Sequence, residues 1–162
     1  MVGKMNIVQT GRDKGKLIAN SPSPLSNLKF LIGMTNQEIK YGEREIQEGK
    51  LITFPNPRIG RRYNIEITLP EFTCKCPFSG YPDFATIYIT YVPDEKVVEL
   101  KALKLYINSY RDRYISHEES ANQILDDFVA ACDPLEAIVK TDFTPRGNVH
   151  TVVEVRHIKG GE

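Results

Sequence analysis

The stretch from Glu71 to Lys104, EFTCKCPFSGYPDFATIYITYVPDEKVVELKALK, limits the possible folds more than any other part of the chain. Pro77, Ser79, Gly80, Tyr81 and Pro82 lie between Cys76 and Asp83, so the chain must reverse tightly there. Proline presets φ at about −65° and glycine reaches positive φ without steric cost, which gives the reversal a mechanical cause. The residues after it alternate. Ala85, Ile87, Ile89 and Tyr91 share one side of a strand from Phe84 to Val92. Phe84, Tyr88 and Val92 lie on the other side, so both faces are expected to be covered. Upstream, Tyr63, Ile65, Ile67 and Leu69 alternate with Asn64, Glu66 and Thr68, the pattern of a strand with one buried face.

Pro93-Asp94-Glu95-Lys96 turns the chain, and Lys96 to Val98 is expected to resume the sheet briefly. Leu100, Leu103, Ile107, Tyr110 and Tyr114 then recur at helical spacing, with Lys101, Lys104, Asn108 and Arg111 as the polar stripe. Ser116 with Glu119 three residues later is a capping box that opens a second helix. Ile124, Leu125, Phe128, Val129 and Cys132 form its apolar side, and Asp133-Pro134 stops it. Two further strands, Ala137 to Phe143 and Val149 to Ile158, are joined by TPRGN. The order strand, strand, helix, helix, strand, strand predicts an α+β fold: a four-stranded antiparallel sheet with two helices on one face. Such a sheet leaves two free edges for another subunit to cover.

Residues 1–29 are poorly patterned and are expected to form an arm ordered against a neighbouring subunit; residues 30–162 are expected to form one domain. The prolines flanking Asn56 argue against regular structure in TFPNPR. Lysine plus arginine equals aspartate plus glutamate, 21 each, so no global charge points to nucleic acid or a membrane surface. No apolar run approaches the ~20 residues that span a bilayer, and no secretory h-region opens the sequence. Three cysteines, two of them one residue apart, do not make a disulfide framework, and the expected location is the reducing cytoplasm.

Four groups of residues could carry chemistry. Cys76 reads as a nucleophile preset by its turn, as a small buried hydrophobe, or as half of a zinc site with Cys74 that would need Cys132 or His117. Asp83 reads as a turn-capping carboxylate, or as an acid desolvated by Phe78, Pro82 and Phe84. His117 and Glu118 open a helix, where an acidic residue complements the dipole or accepts hydrogen bonds from a ligand's N–H pair. Lys101 and Lys104, one turn apart, form a solvated face or a clamp for phosphates. No G-x-G-x-x-G is present, so a dinucleotide would not be held in the Rossmann manner.

Taken together, FTCKCPFSGYPDFATIYITYVPDEK, ELKALKLY, HEES and FTPRG closely resemble, in order and spacing, the NADPH-dependent 7-cyano-7-deazaguanine reductases, the nitrile reductases of queuosine biosynthesis. The resemblance covers roughly Phe54 to Gly147. It implies a tunnelling fold assembled as a multi-subunit barrel with sites at subunit interfaces. It also implies NADPH as cofactor and 7-cyano-7-deazaguanine as substrate, with no metal. The family's nucleophile falls on Cys76 and its proton donor on Asp83. Its substrate contacts fall on Val98, Glu99, Leu100, His117 and Glu118, and Lys101 and Lys104 are candidates for the cofactor phosphates. The implied chemistry is a covalent thioimide on Cys76, reduced twice to 7-aminomethyl-7-deazaguanine. Tyr81, Leu100 and Asn148 depart from the commoner glutamine, serine and second glycine. The rival readings are an amidine-forming transferase on the same nitrile, a zinc-dependent cyclohydrolase of the same fold, and a non-enzymatic purine- or pterin-binding oligomeric module.

Overall fold

The computed structural model describes residues 39–161, so the expected arm over 1–29 and the domain boundary at residue 30 lie outside the described residues. The elements in chain order are α1 (Tyr41–Gln47), β1 (Thr53–Pro55), β2 (Ile65–Lys75), β3 (Pro82–Val92) and β4 (Lys96–Val98). They are followed by α2 (Leu100–Asn108), a 3-10 turn (Ser109–Asp112), α3 (His117–Cys132), β5 (Glu136–Phe143) and β6 (Val152–Ile158). β2, β3, β5 and β6 form one antiparallel sheet in that order. This is the α+β arrangement that the element order implied, with a short third helix added.

β2 runs past the alternating stretch that predicted it. Ile65, Ile67 and Leu69 pack against the core, and the register then shifts before Phe72 and Cys74, which are fully buried. The shift lets residues of opposite parity point the same way. Pro70 lies within the irregular step, where its missing N–H costs least. The β2–β3 reversal is closed by Cys76 N–H donating to Tyr81 O at 2.8 Å and Gly80 N–H donating to Cys76 O at 2.9 Å. Gly80 has φ +72°, a conformation in which a side chain would be strained.

Ala85, Ile87, Ile89 and Tyr91 meet Leu103, Ile107, Tyr110, Ile124, Leu125 and Phe128 in one core, so α2 and α3 cover the same sheet face. The opposite face is open in a single chain: Phe84 and Tyr88 are exposed, against the expectation that it would be covered, and only Val92 is buried. The predicted helix from Leu100 to Tyr114 stops at Asn108 and tightens into the 3-10 turn. Leu100 and Tyr114 therefore fall outside the apolar stripe and are exposed, while Leu103, Ile107 and Tyr110 are buried. Ser116 caps α3 by accepting from Glu119 N–H at 3.1 Å, a bond worth about 1 kcal/mol. Asp133, in the left-handed conformation, ends that helix.

Two expectations about the shorter segments need correcting. Thr53–Pro55 is a strand despite its prolines, because Pro55 stands on the edge of a two-stranded ribbon, where a missing N–H is tolerated. Lys96–Val98 pairs with that ribbon rather than rejoining the main sheet. The β5–β6 connection reverses through Gly147 and Asn148 at φ +59° and +67°, the positive pair of a type I′ turn. Asn148, in place of the expected glycine, tolerates that conformation better than most residues.

Candidate active site

The tight reversal after β2 leaves Cys76 half-buried at its start, and Asp83 follows as the second residue of β3. The adjacent Lys75 draws in a further segment: Lys75 N–H donates to Arg113 O at 2.9 Å, and Ile115 N–H donates to Lys75 O at 3.0 Å. That pairing delivers Ser116, His117 and Glu118 to the same end of the sheet. His117 Nε2 lies 3.5 Å from Asp83 Oδ2, and its ring stacks on Phe143 with centroids 3.6 Å apart. Glu118 is exposed beside it, and its carboxylate has no partner among the described residues.

The three thiols differ sharply. The Ser79 hydroxyl, with the N–H groups of Ser79 and Phe78, holds the Cys76 thiol below its ordinary value. Burial pushes Cys74 up to about 12, helped by the charge of Asp83, and pushes Cys132 up to about 11. Cys76 is therefore the sulfur with both thiolate character and access. Asp83 is 8% exposed, but not because of the expected apolar neighbours: Phe78 is 96% exposed and Phe84 53%. Its contacts are charged or polar instead, with Arg146 at 3.1 Å from Oδ1 and His117 at Oδ2. Among the described residues, no three His, Cys, Asp or Glu side chains converge to hold a metal ion.

Val98, Glu99 and Leu100 occupy a different place. They line a cavity of about 420 Å³ with Phe54, Tyr63 and Ile65. The Val98 N–H donates to the Tyr91 hydroxyl at 3.2 Å, and the Glu99 N–H donates to Ile52 O at 2.8 Å, so the segment is fixed from below. Glu99 caps α2, accepting from Lys101 N–H at 2.9 Å and Ala102 N–H at 2.7 Å, and these bonds hold its carboxyl below the usual range. Lys101 and Lys104 are exposed on the next turn; Lys101 lies 3.8 Å from Glu45, and Lys104 edges a small hollow beside Glu71. Two exposed ammonium groups one turn apart suit a phosphate.

The two groups of residues stand at opposite ends of one hairpin. Ile65 pairs with Tyr91 at the cavity end, and Lys75 pairs with Pro82 at the Cys76 end. Ten residue steps at about 3.3 Å separate them by roughly 30 Å. A single chain thus brings Cys76, Asp83, His117 and Glu118 together, and Val98, Glu99 and Leu100 together, but does not join the two sets; Lys101 follows on α2, and Lys104 stands beside Leu69, Pro70 and Glu71, partway along β2. The motif reading gave no role to Ser79, Phe143 or Arg146. The HEES and FTPRG motifs were visible, but contact between residues as far apart as Asp83 and Arg146 has no local signature.

A family model described as QueF-like protein matches residues 82–162. The chain is 88% identical over 128 residues to an NADPH-dependent 7-cyano-7-deazaguanine reductase of Nostoc sp., covering 79% of this chain and 94% of that protein. Proteins of the same name from Acaryochloris marina and Gloeobacter violaceus are 84% and 74% identical, covering 75% and 77% of this chain and 85% and 91% of theirs. Among solved structures, an archaeosine synthase QueF-Like in the apo form superposes with a TM-score of 0.55 at 24% identity, over 65% of this chain and all of that one, which shows a shared fold. With such identity over nearly the whole length of these relatives, the chain belongs to the family of NADPH-dependent 7-cyano-7-deazaguanine reductases.

Proposed function

We propose that this chain reduces the nitrile of 7-cyano-7-deazaguanine to 7-aminomethyl-7-deazaguanine with NADPH, through a thioimide on Cys76. The observation that carries the mechanism is the state of that thiol: half-buried, and held below its ordinary value by Ser79 and the turn's N–H groups. Asp83 lies between the Arg146 guanidinium and the His117 ring, and in this mechanism the Cys76 proton passes to the nitrile nitrogen by way of its carboxyl group. As the sulfur–carbon bond forms, one π bond of the nitrile becomes N–H, and no electrons are exchanged with the protein. Glu118 accepts hydrogen bonds from the amino and ring N–H groups of the base, so a ligand lacking those donors is rejected. NADPH, when bound, supplies the two hydrides that a four-electron reduction of a nitrile needs. Lys101 and Lys104 would hold its phosphates.

The distance between the two residue sets supports a site built from two copies. One copy would contribute Cys76, Asp83, His117 and Glu118; its neighbour would contribute the cavity with Val98, Glu99 and Leu100. The open sheet face bearing Phe84 and Tyr88, and the free edges of β2 and β6, support assembly into the multi-subunit barrel of a tunnelling fold. No helix among the described residues is long and apolar enough to cross a membrane. The test is NADPH absorbance with purified protein and 7-cyano-7-deazaguanine, alongside intact-protein mass. Two NADPH oxidised per nitrile, with an adduct on Cys76 when the cofactor is withheld, is the expected result. An adduct without NADPH oxidation would instead make the chain an amidine-forming transferase.

A further inference from the structure

The turn that joins β5 to β6 reaches back to the other end of the active-site cluster. Arg146 Nη2 lies 3.1 Å from Asp83 Oδ1, Arg146 Nη1 donates to Pro82 O at 3.3 Å, and the guanidinium lies 5.6 Å from the centre of the Tyr81 ring. One side chain thus grips three consecutive residues of the Cys76–Asp83 reversal. Phe143, three residues earlier, carries the stacked ring of His117, the second partner of Asp83. The segment's backbone is fixed as well: Thr144 N–H donates to Phe84 O at 2.8 Å, and Arg146 and Val149 exchange N–H···O bonds at 3.0 and 3.1 Å.

We propose that Phe143 and Arg146 are positioning residues for proton transfer: Arg146 aims the Asp83 carboxylate and Phe143 fixes the His117 ring against it. This rests on the covalent mechanism above, in which the Cys76 proton passes through Asp83 to the nitrile nitrogen. A planar guanidinium has the geometry for the task. It meets one carboxylate oxygen and one backbone carbonyl with different nitrogens, which a lysine's single ammonium cannot do in the same orientation. Fixing a group within hydrogen-bond reach before substrate arrives removes orientational freedom from the reacting step. Neither residue needs to touch the substrate for this effect.

The experiment measures thioimide formation on Cys76 with 7-cyano-7-deazaguanine and no NADPH, by stopped-flow absorbance and intact mass. Wild-type protein forming the adduct establishes the underlying mechanism; no adduct in the wild type would remove that mechanism and this inference together. Given a wild-type adduct, Arg146→Met is expected to slow its formation at least thirtyfold. Base affinity, measured by calorimetry in a Cys76→Ala background, is expected to change less than threefold. Arg146→Lys should recover part of the rate, and Phe143→Leu should slow it less than Arg146→Met does. An unchanged adduct rate in Arg146→Met, or a defect seen only in the KM for NADPH, would overturn the assignment. Arg146 is about half exposed and outside the core, so its variants fold and the measurement is interpretable.

Discussion

The two ends of the β2–β3 hairpin are built on opposite principles. At the Cys76 end the side chains are charged or polar, partly exposed, and tied to one another across long stretches of sequence by Arg146, His117 and Lys75. At the other end a largely apolar cavity is walled by Phe54, Tyr63, Ile65 and Tyr91, and its polar atoms are already engaged. The Tyr63 hydroxyl donates to Asn56 Oδ1 at 2.6 Å, the Tyr91 hydroxyl accepts from Val98, and both Glu99 oxygens cap α2. In the proposed mechanism the first end moves protons and makes the bond to carbon. In the same mechanism the second end encloses the largely apolar part of the ligand, with Lys101 following on α2. Neither does the whole of the task, and roughly 30 Å of strand keeps them apart within one chain.

The sharpest way to break that division is to remove the chemistry while leaving the enclosure alone. Cys76→Ala is expected to abolish NADPH oxidation while base affinity stays within a few-fold of wild type. Turnover surviving in that variant would end the covalent mechanism. The next largest effect comes from mixing. Cys76→Ala lacks the nucleophile, and Leu100→Glu puts a charge at the mouth of the cavity; each alone should be inactive. If a site takes one end from each of two copies, co-refolding the pair should restore about a quarter of wild-type activity by random assembly. No recovery would mean that the two ends do not meet in one site across copies. Glu118→Ala sits lower on the scale, with base affinity falling at least tenfold, or about 1.4 kcal/mol. Unchanged affinity would take Glu118 out of base recognition.

The contrast also explains what could be read from the residues alone. The hairpin, the helix pair and the closing strands were legible because each is governed by local rules: alternation, helical spacing, a cap, a proline-glycine reversal. The register shift after Leu69 was not, since Pro70-Glu71 breaks the alternation and the burial of Phe72 shows only once β3 is alongside. The ribbon of Thr53–Pro55 with Lys96–Val98 was missed because its partners lie some forty residues apart and one contains a proline. At the site, Cys76 and Asp83 stood out because one turn carries both. Arg146 did not, because what makes it matter is a fold-level contact with Asp83. The cover expected for Asp83 from Phe78 and Phe84 failed for a related reason: sequence neighbours on a hairpin tip point outward to solvent.

The smallest of the expected effects bears on Glu99, where the motif assigns a substrate contact and the geometry shows a helix cap. The two N–H bonds from Lys101 and Ala102 hold its carboxyl below the ordinary range. A group whose value is depressed by folding stabilises the fold at pH above its unfolded value. That stabilisation is lost as pH falls from the ordinary 4.5 through the lower folded value. Glu99→Gln should therefore lower Tm modestly at pH 7, with the difference shrinking toward zero as the pH drops below that window. Base affinity should change little, because both Glu99 oxygens are engaged in the cap and the amide oxygen of the variant keeps part of it. A large loss of affinity at unchanged Tm would show instead that the carboxylate leaves its cap to meet the substrate. The cavity end would then hold a polar group able to act on the ligand after all, and the division between the two ends would be one of resting geometry rather than of chemistry.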